Sequence, residues 1–227
     1  RREFAPACYL QLAGTLQVLE ACRQAHVKHV CLASSFYVYS GIARDEVASE
    51  ATPLDVTRLD LFGASKLMAE RLTALYAAKY DFTYGLLRFG SAYGFSAAAQ
   101  GSNAVRGFLE MGFQGQPIVI WGKGKRANQY TWVHDLVDGC VQALGLKNEV
   151  LNLISPEETT VAELAHGLAE RYGFQVLFEP EKPEGPNFAY MSARKAIRQM
   201  GWKPTTLWEG IGRTVVEMCR AGFGQPV

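Results

Sequence analysis

Residues 29–40, HVCLASSFYVYS, decide the fold that this sequence predicts. The stretch opens with β-branched and apolar residues and runs into a serine pair, Ser34 and Ser35. An apolar run of this kind is typical of a strand that is buried in a parallel sheet. The stretch therefore predicts a parallel strand whose carboxyl end carries hydroxyl groups.

An amphipathic helix is predicted directly before this strand. Leu12, Leu16 and Leu19 recur at spacings of four and three within residues 9–25, with polar residues between them. One short polar turn, HVK, separates that helix from the strand. A helix that is followed at once by a buried strand is half of a βαβ unit.

The same alternation continues along the chain. An acidic loop is predicted over residues 42–59, a helix over residues 60–79, and a second buried strand in FTYGLLRFGSAYG, residues 82–94. This order predicts an α/β fold with a doubly wound parallel, Rossmann-like sheet.

The pattern changes at FSAAAQGSNAVRG, residues 95–107, where small and polar residues replace the apolar periodicity. We place a boundary between two lobes there. Beyond it the sequence predicts a helix near 105–111, a strand in 117–124, a loop at 125–130, a helix over 132–145 and a strand over 149–155. The next helix has Thr159 or Thr160 as its N-cap and Gly173 just past its end. Two short helices follow, on either side of GWKPTT, residues 201–206.

Composition and charge exclude several classes of protein. The 227 residues are 48% hydrophobic, which is ample for a packed core, and the formal net charge of +1 gives no field that would attract nucleic acid or an anionic membrane. No apolar run approaches the roughly 20 residues of a membrane span, so we expect a soluble, cytoplasmic protein. The five scattered cysteines suit reduced thiols better than disulfides, and no Cys/His spacing predicts a metal site.

A glycine-rich turn after a first strand normally receives the pyrophosphate of a dinucleotide on backbone N–H groups. This sequence has no such turn near its start and begins at a helix. We therefore expect that the N-terminal βα units of the sheet, on the order of 100 residues, are missing from this chain.

Several motifs occur in an order that resembles one protein family. They are LAGTLQVLEACRQAHVKHV at 12–30, ASSFYVY at 33–39, FGASK at 62–66, LLRFGSAYG at 86–94, GQPIVIWGKGKRANQYTWVHDLV at 115–137, EVLNLIS at 149–155 and GWKPTTLWEGI at 201–211. Together they resemble the extended short-chain dehydrogenase/reductases, and within them the NAD-dependent sugar-nucleotide epimerase/dehydratase family. Each motif alone is weak, but their shared order over nearly the whole chain is specific.

The resemblance implies two lobes. Residues 1–95 would be the remainder of a dinucleotide-binding lobe, and residues 96–227 would be mainly a smaller α/β substrate-binding lobe, with segments around 133–155 returning to the first. It also implies hydride transfer at a sugar carbon, a nucleotide sugar as substrate, and a homodimer packed through the helices after Tyr9 and Asp60. The cofactor would be NAD or NADP, bound weakly because the glycine-rich turn is absent.

The resemblance also implies roles for individual residues. The catalytic positions are Ser35, Phe62 and Lys66, and the cofactor-binding positions are Gln11, Ser35, Lys66 and Gly90. Substrate-binding positions are Ser91, Arg126 and Asn128, and either Arg126 or Lys125 could reach the phosphates in place of the family's arginine. The family has an asparagine at position 11, a tyrosine at position 62 and, at position 128, an arginine that clamps the nucleotide phosphates, so Phe62 and Asn128 leave activity and substrate class open.

The phenylalanine in FGASK removes a specific chemical group. A tyrosine phenol, with an ordinary pKa near 10, exchanges a proton at neutral pH only when a nearby cation favours the phenolate, and a lysine four residues later lies on the same helix face. Phe62 has no proton to exchange, and general acid–base catalysis typically contributes about 10²–10⁴-fold. Tyr37, on the side of Ser35 if the strand stays regular, is a possible substitute.

Ordinary structural explanations stand beside each motif. FGASK alone also fits a simple helix start, with Phe62 in the core, Ser65 solvated and Lys66 on the surface. The four tryptophans fit core positions better than stacking platforms, Gly122 and Gly124 fit a β-turn better than a phosphate loop, and His134 fits a helix start next to a capping Asp135. Two functions remain: an epimerase/dehydratase-like enzyme impaired at Phe62, or a non-catalytic protein that binds a nucleotide or nucleotide sugar.

Overall fold

The structure is a computed structural model that describes residues 4–96 and 103–223. The predicted boundary tract at 95–107 therefore lies partly outside the described residues. In chain order the helices and strands are α1 Phe4–Gln24, β1 His29–Ser35, β2 Val47–Ala48, α2 Leu61–Lys79, β3 Thr83–Phe89, β4 Ser91–Tyr93, α3 Ala104–Phe113, β5 Ile118–Trp121, β6 Ala127–Asn128, β7 Tyr130–Trp132, α4 Val133–Ala143, β8 Glu149–Leu153, β9 Thr159–Thr160, α5 Val161–Tyr172, β10 Val176–Glu179, β11 Tyr190–Met191, α6 Arg194–Met200 and α7 Leu207–Arg220.

The described residues form two compact units. The first unit contains the chain up to Gly90, together with Leu136–Ile154 and Phe188–Lys203. The second contains Ser91–Asp135, Ser155–Asn187 and the chain from Pro204. Each unit therefore takes several separate segments of the sequence.

A parallel sheet is the centre of the first unit. Its three strands lie in the order β1, β3, β8, and their last residues, Ser35, Phe89 and Leu153, align at one edge. Helices α1 and α2 pack together around Leu19 on one face, and α6 with the second part of α4 packs around Trp202 on the other. The predicted doubly wound parallel α/β fold is confirmed.

The second unit is built around a separate apolar core. Strands β5 and β10 pair in parallel, β4 and β7 pair in parallel, and β6 and β9 pair antiparallel. Helices α3, α5 and α7 contribute Leu109, Leu164 and Ile211, which are fully buried among the strand residues. This unit is also an α/β arrangement, with smaller sheets.

Capping side chains set the boundaries of two helices. The Asp60 carboxylate accepts the backbone N–H of Gly63 at 2.6 Å, which satisfies an N–H group at the start of α2. At α5, Thr160 is the N-cap of a capping box with Glu163, and Gly173 ends the helix at φ 69°, where a glycine carries no steric penalty. The predicted ends of α5 are confirmed, with Thr160 rather than Thr159 as the cap.

The shortest elements escaped the sequence prediction. The regions predicted as loops at 42–59 and 125–130 contain β2, β6 and the start of β7, and the strand β10 was not predicted. Two- and three-residue strands carry too few positions to display an alternating pattern. The strand ends at the serine pair and does not continue regularly to Tyr37, because residues 36–39 form a 3₁₀ turn that is capped by the Ser35 hydroxyl.

A buried ion pair crosses the first unit. Arg88 on β3 donates from Nε and Nη2 to the two carboxylate oxygens of Glu70 on α2, at 2.9 and 2.7 Å, and both side chains are at most 4% exposed. Ser34 on β1 donates its hydroxyl to the same carboxylate at 2.5 Å. Burial opposes the charge of Arg88, but the hydrogen bonds and charge of Glu70 more than offset it and raise the pKa of the guanidinium.

The same guanidinium extends the network to a third strand. Arg88 Nη1 donates to the hydroxyl of Tyr39 at 2.7 Å, and that hydroxyl donates to the side-chain carbonyl of Asn152 on β8 at 2.8 Å. Asn152 in turn donates to the carbonyl of Ser192 at 3.0 Å. The polar groups of this buried layer are therefore matched to one another, as buried polar groups must be.

The structure also bears on membrane-spanning helices, cysteines, metal-binding groups and exposed apolar faces. Within the described ranges no helix is long and apolar enough to cross a membrane. All five cysteines are free, and no group of described His, Cys, Asp or Glu side chains has the arrangement of a metal site. The exposed faces of α1 and α2 carry large apolar side chains, among them Tyr9, Met68 and Leu75. The homodimer stays a prediction.

We expect Glu70→Gln to destabilise the protein by about 3–5 kcal/mol, because it leaves the Arg88 guanidinium buried without its anion. Urea denaturation at neutral pH measures the change. The matched control is Glu209→Gln, which removes the partner of Arg213 in an exposed pair and should change stability only slightly. Equal effects of the two substitutions would contradict a special role of the buried pair.

Candidate functional site

Three of the predicted site residues meet at the carboxyl edge of the parallel sheet. Ser35 is the last residue of β1 and is half-buried. Gly90 follows β3 at the same edge, where its backbone N–H donates to the carbonyl of Leu153 at 3.0 Å. Lys66, on α2, reaches this edge because its ammonium donates to the carbonyl of Ala33 at 3.1 Å.

The environment of Lys66 differs from that of a surface lysine. Its side chain is half-buried, and within the described ranges it makes no ion pair with a carboxylate. Burial lowers the pKa of the ammonium below its ordinary value, since a medium of low dielectric disfavours the charged form. The bond to Ala33 uses one of three N–H donors, so two remain for a ligand.

Phe62 lies one helical turn before Lys66 on the same face. The Lys66 ammonium is 5.8 Å from the centroid of the Phe62 ring, within the range of a cation–π contact. The ring is 36% exposed, whereas Ser65 is buried and donates its hydroxyl to the carbonyl of Phe62 at 2.8 Å. The simple helix-start explanation, with Phe62 in the core and Ser65 in solvent, is therefore wrong.

A second aromatic side chain reaches the same place by an unexpected route. Residues 36–39 leave the strand as a 3₁₀ turn, and the N–H of Tyr37 donates to the Ser35 hydroxyl at 3.3 Å. A Cβ on Gly63 would collide with the Tyr37 carbonyl oxygen, so only glycine admits the turn against α2. The Tyr37 ring then meets Phe62 edge to face, with centroids 5.2 Å apart.

Gln11 lies on α1 and stands apart from these groups. Its carbonyl accepts the hydroxyl of Thr15 at 2.7 Å. In the part of the chain that the structure describes, no hydrogen bond joins the Gln11 side chain to Ser35 or Lys66. Its predicted cofactor role stays a prediction.

The predicted substrate residues lie in the second unit. Ser91 begins β4 and pairs in register with Tyr130 of β7. Asn128 lies on β6, and its amide donates to the Tyr130 hydroxyl at 3.3 Å. Burial raises the pKa of that phenol, so the hydroxyl stays neutral. The Asn128 amide thus has a neutral partner within the protein and carries no charge for a phosphate.

Arg126 opens on a cavity of about 760 Å³. The cavity has an apolar floor that includes Phe108, Met111 and Ile120, and Trp121 and Glu184 lie on its walls. Arg126 is half-buried, and its guanidinium makes no hydrogen bond or ion pair with any residue in the described ranges. A cation without a partner beside an apolar cavity is the arrangement expected for an anionic ligand with a flat ring.

The tryptophan prediction is wrong at one position. Trp202 and Trp132 are buried as expected, and Trp208 is partly buried against the core of the second unit. Trp121 is 55% exposed and lines the cavity. It is the last residue of β5, where buried and outward positions alternate. That alternation is the signal that would have placed Trp121 outside the core.

Two further predictions concern WGKG and the start of α4. Gly122 and Gly124 have φ values of +70° and +67° and form a turn, as predicted. His134 stacks on Trp132 and lies 3.2 Å from a carboxylate oxygen of Glu217. Asp135 lies in the first turn of α4, and its carboxylate accepts the N–H and the hydroxyl of Thr205, both at 2.8 Å. Its capping role at α4 stays a prediction.

Comparisons with known proteins agree with the motifs and the sheet. Residues 5–153 match the model of the NAD dependent epimerase/dehydratase family. The chain is 30% identical over 210 residues to the Methanocaldococcus jannaschii protein named "Putative UDP-glucose 4-epimerase", a match that covers 91% of this chain and 68% of that one. The chain belongs to the NAD-dependent epimerase/dehydratase family.

Solved structures show the same fold. The UDP-glucose 4-epimerase of Thermotoga maritima with UDP-glucose superposes with a TM-score of 0.88 and 25% identity, covering 97% of this chain and 72% of that one. The UDP-glucose 4-epimerase of Thermus thermophilus in complex with NAD gives 0.82 and 26%, covering 93% and 70%. The chain thus spans about two thirds to three quarters of the length of these relatives.

The first unit fits only one end of the family's cofactor. The two remaining N–H donors of Lys66 and the Ser35 hydroxyl suit a ribose and a polar ring substituent at the sheet edge. In the described ranges no parallel strand runs through a glycine-rich turn into a helix, which is the structure that receives a pyrophosphate. The fit therefore covers the nicotinamide end.

We expect the Lys66 amine to react with an acylating reagent at lower pH than an exposed lysine, because burial lowers its pKa and the neutral amine is the nucleophile. Competitive labelling across a pH series, read by mass spectrometry, compares Lys66 with Lys147 as an exposed internal reference.

The same shift has a consequence for stability. Since the pKa of Lys66 is lower in the folded state, the unfolded state binds more protons between the two pKa values, and the free energy of unfolding rises with pH across that window. Lys66→Met should remove this rise.

Coincident labelling profiles for Lys66 and Lys147 would show that the site leaves the ammonium unperturbed.

Proposed function

We propose that this chain carries the nicotinamide-facing side and the substrate lobe of an NAD-dependent sugar-nucleotide epimerase/dehydratase that acts by hydride transfer at a sugar carbon. The observation that carries the proposal is the half-buried Lys66 ammonium, held at the Ala33 carbonyl two residues before Ser35. When bound, NAD or NADP supplies a carbon that accepts and returns a hydride.

In this proposal each group at the sheet edge has one role. Lys66 donates to the ribose of the cofactor and contributes a positive charge that favours an oxyanion nearby. Ser35 donates its hydroxyl to the reacting oxygen of the sugar, and the backbone at Gly90 forms the edge against which the ring lies. Gln11 completes the cofactor contacts.

The second unit supports a nucleotide sugar as the substrate. Arg126 supplies the charge that Asn128 lacks, and Trp121 offers an exposed aromatic face beside the apolar floor of the cavity. Ser91, which pairs with β7, contributes a hydroxyl to the sugar. Because relatives bind or act on UDP-glucose, we propose a UDP-sugar as the ligand.

The proposed enzyme lacks the phenol that donates a proton in its family. Phe62 cannot supply a proton, and the nearest phenol by ring contact is that of Tyr37 at 5.2 Å between centroids. We propose that Tyr37 exchanges the proton of the sugar hydroxyl in place of a tyrosine at position 62.

One observation favours a second function without catalysis. The phenyl group of Phe62 and the neutral amide of Asn128 occur together, and each removes a group that chemistry or phosphate binding requires. A protein that only binds a nucleotide or nucleotide sugar would keep the cavity around Arg126 and tolerate both changes.

We expect UDP-glucose to bind with measurable affinity and NAD to bind weakly, because Arg126 lies beside an apolar cavity and the described residues contain no glycine-rich turn before a helix. Isothermal titration calorimetry with each ligand tests this, and Arg126→Ala should weaken UDP-glucose by about tenfold or more through loss of a charge-assisted hydrogen bond. Tight NAD binding, or no UDP-glucose binding, would overturn the corresponding half of the proposal.

Restoring the phenol separates the two functions. We expect Phe62→Tyr to raise turnover of UDP-glucose with NAD by about 10²-fold or more, the usual contribution of general acid–base catalysis. Tyr37→Phe should abolish the residual turnover of the natural sequence but have little effect in the Phe62→Tyr background. Binding without turnover in every variant would instead support the non-catalytic protein.

A further inference from the structure

The Glu184 carboxylate joins two distant segments of the chain at one wall of the cavity. The segment Lys182–Asn187 lies against the turn Gly122–Arg126, although the two are about sixty residues apart in sequence. Glu184 accepts the backbone N–H groups of Lys123 at 2.9 Å and Lys125 at 3.2 Å on Oε1, and that of Arg126 at 2.7 Å on Oε2.

These bonds favour the ionised carboxylate. Hydrogen bonds from the backbone N–H groups, that of Arg126 first, lower the pKa of Glu184 below its ordinary value. Gly122 makes room for the side chain, since a Cβ there would collide with Cγ of Glu184, and its φ of +70° already favours glycine. The turn thus binds an anion, but the anion belongs to the protein itself.

Gly185, the residue after Glu184, lies against the guanidinium end of the Arg126 side chain. A Cβ on Gly185 would lie 2.5 Å from Nη1 of Arg126, so the guanidinium rests directly over the glycine backbone. Arg126 is therefore held at two points: its backbone N–H binds Glu184, and its guanidinium occupies the space that the missing side chain of Gly185 leaves. All three residues line the cavity.

Arg126 is the only lysine or arginine among the described residues that line the cavity. The ammonium of Lys182 pairs with the Glu179 carboxylate at 2.6 Å and lies 5.1 Å from the centroid of Trp121. Asn128, at the family's arginine position, is neutral and donates to Tyr130. Among the lining residues, the direction of the Arg126 guanidinium thus determines where positive charge meets the cavity.

Building on the proposed function, we propose that Glu184 and Gly185 are positioning residues that direct the Arg126 guanidinium onto the diphosphate of the nucleotide ligand. Glu184 fixes the backbone from which the side chain departs, and Gly185 leaves the space along which the guanidinium lies. Neither residue needs to touch the ligand itself.

Gly185→Ala is a sharp test, because it moves Arg126 without straining the fold. The three atoms nearest to the new methyl group belong to the flexible end of the Arg126 side chain, and the backbone of the exposed Gly185 lies outside the left-handed region. The guanidinium must shift, and the rest of the chain can stay in place. Thermal unfolding should therefore be nearly unchanged.

The experiment is a double-mutant cycle by calorimetry with UDP and, separately, uridine, on the natural sequence, Gly185→Ala, Arg126→Ala and the double variant. We expect Gly185→Ala to weaken UDP binding about five- to tenfold and to leave uridine binding unchanged, since uridine has no phosphate. In the Arg126→Ala background the Gly185→Ala change should have no further effect.

The outcomes separate this inference from the proposed function. If Arg126→Ala weakens UDP binding but Gly185→Ala does not, or if Gly185→Ala acts equally in both backgrounds, the positioning role is refuted and the nucleotide cavity stands. If UDP does not bind the natural sequence, or Arg126→Ala has no effect, the proposed substrate site fails and the positioning role fails with it.

Two Glu→Gln substitutions, which remove the same charge, test the positioning role of Glu184. Glu184→Gln should weaken UDP binding several-fold, because a neutral amide accepts only weaker bonds from the three N–H groups. Glu181→Gln, at an exposed position three residues earlier, is the control and should leave UDP binding unchanged. Equal effects, or tighter UDP binding in Glu184→Gln, would refute the positioning role of the carboxylate.

Discussion

The buried pair of Arg88 and Glu70 is the constraint on which the first unit depends. Two charges that have left water must remain in contact with each other, so β3 and α2 are held at a fixed separation. The Ser34 hydroxyl binds the same carboxylate and adds β1 to the arrangement. Glu70 lies four residues after Lys66 on one helix face, and Ser34 precedes Ser35 in the strand. The pair thereby fixes the position of both site residues.

The loss of a phenol at position 62 leaves this framework intact. A phenyl ring keeps the shape of a tyrosine side chain, and the contacts that it makes with Lys66 and Tyr37 are those of the ring rather than of a hydroxyl. The contacts of this side chain in the fold therefore do not depend on a hydroxyl group. The same holds at Asn128, whose amide finds a partner within its own unit. A family fold can thus persist through changes that alter its chemistry.

The sequence predicted the helices and strands whose apolar pattern repeats, and the helix ends at which a residue type has one common structural role. The strand 29–35, the helix after Asp60 and the caps Thr160 and Gly173 follow from apolar runs, capping side chains and positive φ. The alignment of Ser35 with the end of β3 follows from the rule that parallel strands end together, whereas Lys66 reaches this edge from helix α2. The sequence could not predict contacts between distant segments. Glu184 against residues 123–126 and Tyr37 against Phe62 depend on close approaches that Gly122, Gly185 and Gly63 permit only in the folded chain.

The Ser35 hydroxyl caps the turn after β1, and this contact sets the direction in which the hydroxyl donates its proton. One lone pair of its oxygen already receives the N–H of Tyr37, at 3.3 Å. A hydroxyl has a single proton to donate and two lone pairs, so using one of them as an acceptor turns the proton away from the turn. An oxygen without a proton of its own therefore meets Ser35 as a donor. Such a donor distinguishes oxygen atoms by their electron density. It binds a carbonyl or an alkoxide oxygen more strongly than the oxygen of the corresponding alcohol.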